Sequence, residues 1–118
     1  MTSLRKVTET ASADWRPYDR YGEPIAGMWW IPLTEDTELS RATYLLKFDA
    51  GAKSRPHEHT GIEEFYMMEG ALVDNDGTVF RTGDFVRFDP GSEHSSESPD
   101  GCVLLATLLG RNRPLDES

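Results

Sequence analysis

The chain has 118 residues, enough for one domain with one core but short for two. Its 12 basic and 21 acidic side chains leave a net charge of −9, which repels phosphate backbones and anionic lipid and sets nucleic acid and membrane aside as partners. No apolar run approaches the ~20 residues that span a bilayer, the first residues lack the apolar stretch of a secretory leader, and a single cysteine, Cys102, excludes an internal disulfide and fits a reducing, cytoplasmic setting.

Ten glycines and seven prolines are spread along the chain, and no window of ten residues carries a helical period. Residues 1–14 are polar and aperiodic, an expected loose arm. Residues 15–27 mix aromatics with Pro and Gly and predict an irregular wrap that packs Trp15 and Tyr18 or Tyr21 on a core. MWWIPL predicts a short strand that Pro32 confines to an edge or an end. Trp29 and Trp30 cannot both face inward on it, so one is free to meet a second subunit.

TEDTELS follows as a polar loop. ATYLLKFDA then alternates, with Ala42, Tyr44, Leu46 and Phe48 on one face. IEEFYMME and, after Gly70, ALVD predict two further segments. The DNDG at Asp74–Gly77 marks a hairpin, because Asn and Gly accept the positive φ its turn needs. TVFR, DFVRFD, HSSES and CVLLATLL complete about eight or nine short strands with a turn roughly every ten residues, the spacing of an all-β sandwich or barrel. The resulting division is an N-terminal arm and wrap over 1–27, a barrel over 28–109 and a trailing tail over 110–118.

Chemistry concentrates in PHEHTGIEEFYMMEG, Pro56 to Gly70. His57 and His59 are two apart near a strand start, and alternation lets both rings reach one point. A carboxylate follows at Glu63 or Glu64. His94, the third and last histidine, lies about 30 residues on, a separation that an antiparallel fold can close. Three neutral imidazoles and a carboxylate suit one borderline divalent transition metal: Fe(II) or Zn(II) first, then Ni(II), Mn(II) or Cu(II). Alternation does not choose between the two glutamates. Glu63, Phe65 and Met67 share one face, and Glu64, Tyr66 and Met68 share the other. Tyr44, Phe65, Met67 and Phe85 are candidates to line a pocket, or equally to be ordinary core. Tyr66 and Met68 read as packing on the opposite sheet face. Arg55 and Arg87 could meet an anionic substrate but read first as solvated or paired cations, and Cys102 reads as a small core residue rather than a nucleophile.

Gly51-x5-His57-x-His59-x3-Glu63-x6-Gly70 resembles the first motif of the cupins at every fixed position. Gly83, Gly91 and His94 fall in register with the second motif, whose usual Pro and Asn are here Asp89 and Ser98. WW-x-PL near the start, HTGIEE, PGSEH and GCVLL bring the chain nearest to the cupin modules of ChrR-type anti-sigma factors and their stand-alone relatives. The resemblance covers about residues 28–109. It implies a small jelly-roll barrel (a double-stranded β-helix) whose lumen holds one metal on His57, His59, Glu63 and His94. The spacing to Gly70 favours Glu63, leaving Glu64 outside the barrel or behind a ligating ring as its acceptor. The zinc-binding helical module of complete anti-sigma proteins is not seen here, so capture of a sigma factor is not expected.

Three functions fit the same residues. The favoured one is a non-haem metal-dependent dioxygenase of a small diketone or hydroxyketone, with no catalytic residue required beyond the ligands. The others are a Zn(II)-holding sensing or binding module without turnover, and an isomerase, cyclase or lyase whose metal is a Lewis acid. A small molecule is the expected ligand, and the family resemblance implies a homodimer.

Overall fold

A computed structural model describes residues 4–115. These residues contain twelve strands: β1 (Arg16–Pro17), β2 (Met28–Asp36), β3 (Arg41–Phe48), β4 (Ala52–Lys53), β5 (His57–His59), β6 (Glu63–Asp74), β7 (Val79–Arg81), β8 (Phe85–Phe88), β9 (Glu93–His94), β10 (Ser96–Ser98), β11 (Cys102–Leu109) and β12 (Asn112–Pro114). They contain no helix, and so none long and apolar enough to cross a membrane. The large sheet has nine strands in the order β1-β2-β3-β11-β6-β10-β4, with β7 and β8 also paired to β6. A separate sheet of three strands has the order β12-β5-β9. The result is an all-β, curled half-barrel.

The barrel interior follows from alternation on the long strands. Ala42, Tyr44, Leu46 and Phe48 of β3 all point in, as expected, beside Leu104, Ala106 and Leu108 of β11 and Phe65 and Met67 of β6. Burying such side chains contributes about 1.5–3 kcal/mol each for the larger ones. Tyr18 from the wrap enters the same core, with Tyr21 partly buried against it. Trp30 faces inward, edge-on to Tyr18 and Tyr44 at centroid distances of 5.3 and 5.6 Å. Trp29 faces outward and donates its indole N–H to Asp49 Oδ2 at 3.0 Å. Trp15 lies under the Lys47 ammonium, 4.8 Å from the ring centroid.

The outer face carries an apolar row. Ile31, Leu45, Leu105, Tyr66 and Phe85 stand side by side across β2, β3, β11, β6 and β8 through consecutive register pairs. The row grades from buried Ile31 and Leu45 to Tyr66, 45% exposed, and Phe85, 64% exposed.

Three expectations are corrected. First, IEEFYMME and ALVD are one strand, β6, not two segments. Gly70 carries it through a bulge: its φ is +75°, and a Cβ there would collide with the Gly101 carbonyl oxygen. Opposite β11, Met67 pairs with Leu104 and Glu69 with Val103, so Met68 is the extra residue. The inserted residue reverses the alternation. Before it Glu63, Phe65 and Met67 face in; after it Leu72 and Asp74 do. Second, MWWIPL is longer than expected and takes in Thr34 to Asp36 of the supposed loop. Pro32 is tolerated where the β2–β3 register shifts, and beyond the two-residue edge strand β1. Third, the supposed trailing tail turns back. Residues 112–114 pair with β5, and Arg113 forms an ion pair with Glu58.

Candidate metal centre

His57 and His59 lie on β5, two residues apart, and both rings face the barrel. His94 is set against them by the β5–β9 pairing, which puts His57 directly opposite it. Glu63 opens β6 across the TGI turn. Gly61 in that turn has no room for a side chain, since a Cβ would strike the Leu109 carbonyl oxygen. The turn can therefore pass close under the end of β11 and deliver Glu63 to the cluster.

One donor atom from each of His57, His59, Glu63 and His94 lies within 4.8 Å of the others. His59 is fully buried, and Glu63 and His94 are 9% and 7% exposed. His59 Nε2 is 2.8 Å from His94 Nε2 and 3.5 Å from Glu63 Oε1. Adjacent nitrogen ligands, each ~2.0–2.1 Å from one ion, stand roughly 3 Å apart, so the spacing fits a shared cation.

The outward nitrogens of two rings are already committed. His57 Nδ1–H donates to the Arg55 carbonyl at 2.7 Å, and His94 Nδ1–H to Asp74 Oδ1 at 2.7 Å. Each ring is thereby left with a bare Nε2 lone pair, the state a metal ligand requires. Asp74 is itself held by the Ser96 hydroxyl at 2.9 Å. Facing lone pairs repel unless a proton or a cation lies between them, so the donor set fits a divalent ion.

Burial sets the charge state of the cluster. It lowers His57 to a pKa of about 4. It lowers His59 to about 3, helped by the charges that His57 and His94 would carry. It raises Glu63 to about 7, partly opposed by His94. Both lowered imidazoles are neutral near pH 7 and ready to bind a cation, and a cation would in turn draw the proton from Glu63.

A cavity of about 120 Å³ adjoins the cluster, lined by His57, Glu63 and His94 and by apolar and aromatic groups such as Tyr18, Tyr44 and Phe65. Burial pushes the Tyr18 and Tyr44 hydroxyls well above their ordinary pKa, so both remain donors.

Of the residues expected to line a pocket, Tyr44 and Phe65 do so. Met67 is fully buried in the core behind them. Phe85 does not: it pairs with Tyr66 and shares that residue's outward face. Phe88, three residues on, takes the inward place. It stacks on His94 and His59 at 4.1 and 5.2 Å. Glu64 also points outward, 3.7 Å from Arg87, and touches no histidine of the cluster. The carboxylate behind a ring is Asp74 instead, which sequence reasoning missed because the Gly70 bulge turns it inward. Arg87 is paired, with Asp89 at 2.9 Å, and Cys102 is a buried core thiol.

The family model of the ChrR cupin-like domain matches residues 3–111. No curated protein sequence matches the chain. Among solved structures, an RmlC-like cupin protein of Ralstonia eutropha JMP134 superposes with a TM-score of 0.82 at 20% identity, covering 95% of this chain and 73% of that one. An acetylacetone dioxygenase of Acinetobacter johnsonii gives 0.80 at 19%, covering 96% and 77%. The complex of Rhodobacter sphaeroides SigE with the anti-sigma ChrR gives 0.67 at 24%, covering 83% of this chain and 49% of that one. At these identities the structural likenesses establish the cupin fold alone. The family match, over nearly the whole length, establishes more: the chain belongs to the ChrR cupin-like domain family.

Proposed function

We propose that this cupin is a metal-dependent dioxygenase of a small diketone or hydroxyketone, working through one divalent transition metal held by His57, His59, Glu63 and His94. The observation that carries the reading is the placement of a buried three-histidine, one-glutamate cluster at the wall of a small, largely apolar cavity. Likeness in fold to an acetylacetone dioxygenase supports it.

When bound, Fe(II) would supply the Lewis-acid and electron-transfer chemistry that joins a chelating substrate to O2. The protein does the rest. Asp74 and the Arg55 carbonyl hold two rings in the ligating tautomer. Tyr18 and Tyr44 present hydroxyl donors toward substrate oxygens. Phe65 and its apolar neighbours exclude water and favour an uncharged, compact ligand. Iron-loaded protein should consume O2 with acetylacetone and lose that activity in His94→Ala. Tightly held zinc in protein purified without added metal, with no O2 uptake after iron exchange, would sink the reading.

The family match favours a second reading, a zinc-holding binding or sensing module. Stoichiometric zinc that alters ligand or oxidant response without turnover would support it. We further propose that two copies pair through the apolar row ending in Tyr66 and Phe85. Equilibrium sedimentation of a monomer at micromolar concentration would count against that.

A further inference from the structure

We propose that Asn112 is a positioning residue for the metal: its side-chain oxygen accepts the Nδ1–H of His59 and so aims the His59 Nε2 lone pair into the cluster. The inference rests on the metal-binding reading above.

Among the described residues, two buried side-chain nitrogen or oxygen atoms lack a hydrogen-bond partner, His59 Nδ1 and Asn112 Oδ1. They belong to directly opposed residues, because β12 pairs with β5 in the register Asn112↔His59. The two atoms are complementary. An amide oxygen only accepts, while an imidazole Nδ1 donates when it carries the proton. Leaving both unpaired in a dry interior is costly, and the Asn112 side chain lies within hydrogen-bonding reach of the His59 ring.

The other rings show what the pairing does. His57 gives its Nδ1–H to a backbone carbonyl and His94 gives its own to a carboxylate. With Asn112 as the third acceptor, every ring of the cluster has its proton on the outward nitrogen and its lone pair facing in. Turned the other way, the Asn112 amide N–H would select the opposite tautomer, which cannot ligate through Nε2.

Asn112 also lines the cavity wall and lies just beyond the residues the family model covers. Its backbone N–H donates to the Tyr21 hydroxyl at 3.1 Å, so the strand docks through contacts that a side-chain substitution leaves in place.

The test is a Zn(II) titration of metal-stripped full-length protein against a chelating indicator, with circular dichroism as the check on folding. Asn112→Leu should bind roughly 10- to 100-fold more weakly. Asn112→Asp, which can only accept, should bind as tightly as the unaltered protein or more so. In zinc-loaded, 15N-labelled protein, long-range 1H–15N spectra should place the His59 proton on Nδ1 in slow exchange, and in Asn112→Leu that proton should exchange faster. Zinc affinity in Asn112→Leu within about twofold of the unaltered protein would overturn the proposal. So would weak binding by the folded Asp variant. Failure of the unaltered protein to bind zinc at all would instead sink the metal reading, and this inference with it.

Discussion

The two sheets of this barrel are built on different physics. The large one has strands of eight to twelve residues at its centre and carries the apolar core, from Tyr44 through Met67 to Leu108. The small one has strands of two or three residues and holds three of the four clustered side chains. Its polar ties are Arg113 to Glu58, His59 N–H to the Ser92 carbonyl at 2.9 Å, and Gly91 N–H to the His59 carbonyl at 2.7 Å. The large sheet is held by burial, and the small sheet by hydrogen bonds, an ion pair and the stacking of Phe88 on two of its rings.

That contrast can be broken by substitution. The largest effect is expected at the site: His94→Ala should lose its metal on gel filtration while the β3–β11 ladder stays protected in hydrogen exchange. Loss of protection across both sheets would show them to be one unit. Met67→Ala should cost about 2–5 kcal/mol of stability, read by denaturant unfolding, because it empties a fully buried site in the large sheet. The folded fraction should still bind metal.

Asp74→Ala should weaken metal binding roughly 10- to 100-fold, since His94 loses the acceptor that fixes its ring. Below about pH 7, zinc affinity should fall by about tenfold per pH unit, because buried Glu63 holds a proton that the ion must displace. His57 and His59 are neutral down to about pH 4 and 3 and add no competition above that. In the metal-free fold the two kinds of group act oppositely. Raised Glu63 adds stability that is lost as pH rises through about 7, while the lowered histidines add stability that is lost as pH falls below 6.5 toward about 4 and 3. The smallest effect belongs to the outer face. Phe85→Ser should change monomer stability by no more than about 0.5 kcal/mol and leave metal affinity untouched.

How much of this could be read from the chain depended on whether spacing or local geometry decided the outcome. The His57, His59, Glu63 and His94 constellation was legible because motif spacing survives any detail of register, and the structure brings those four side chains together. The all-β barrel was legible because β3 and β11 alternate without interruption. Asp74 was not, because one inserted residue near Gly70 inverts the faces of β6, and alternation counted across it gives the wrong side. Phe85 and Phe88 were exchanged for a related reason: the β6–β8 register, which puts Phe85 opposite Tyr66, is set by pairing that a single strand does not reveal. Asn112 was hidden because a strand of three residues has no period to detect.

The return of the chain at residues 112–114 bears on how the protein is made. Synthesis runs from the first residue to the last, and domains fold as they emerge. Here the wrap at Arg20 and Tyr21 is held by Arg111 and Asn112, some ninety positions later. Both sheets wait for the same late stretch, because β11, the strand between β3 and β6, ends at Leu109 and β12 begins at Asn112. The nine-stranded sheet and the three-stranded one are therefore completed within a few residues of each other, so the barrel closes late and over long sequence separations.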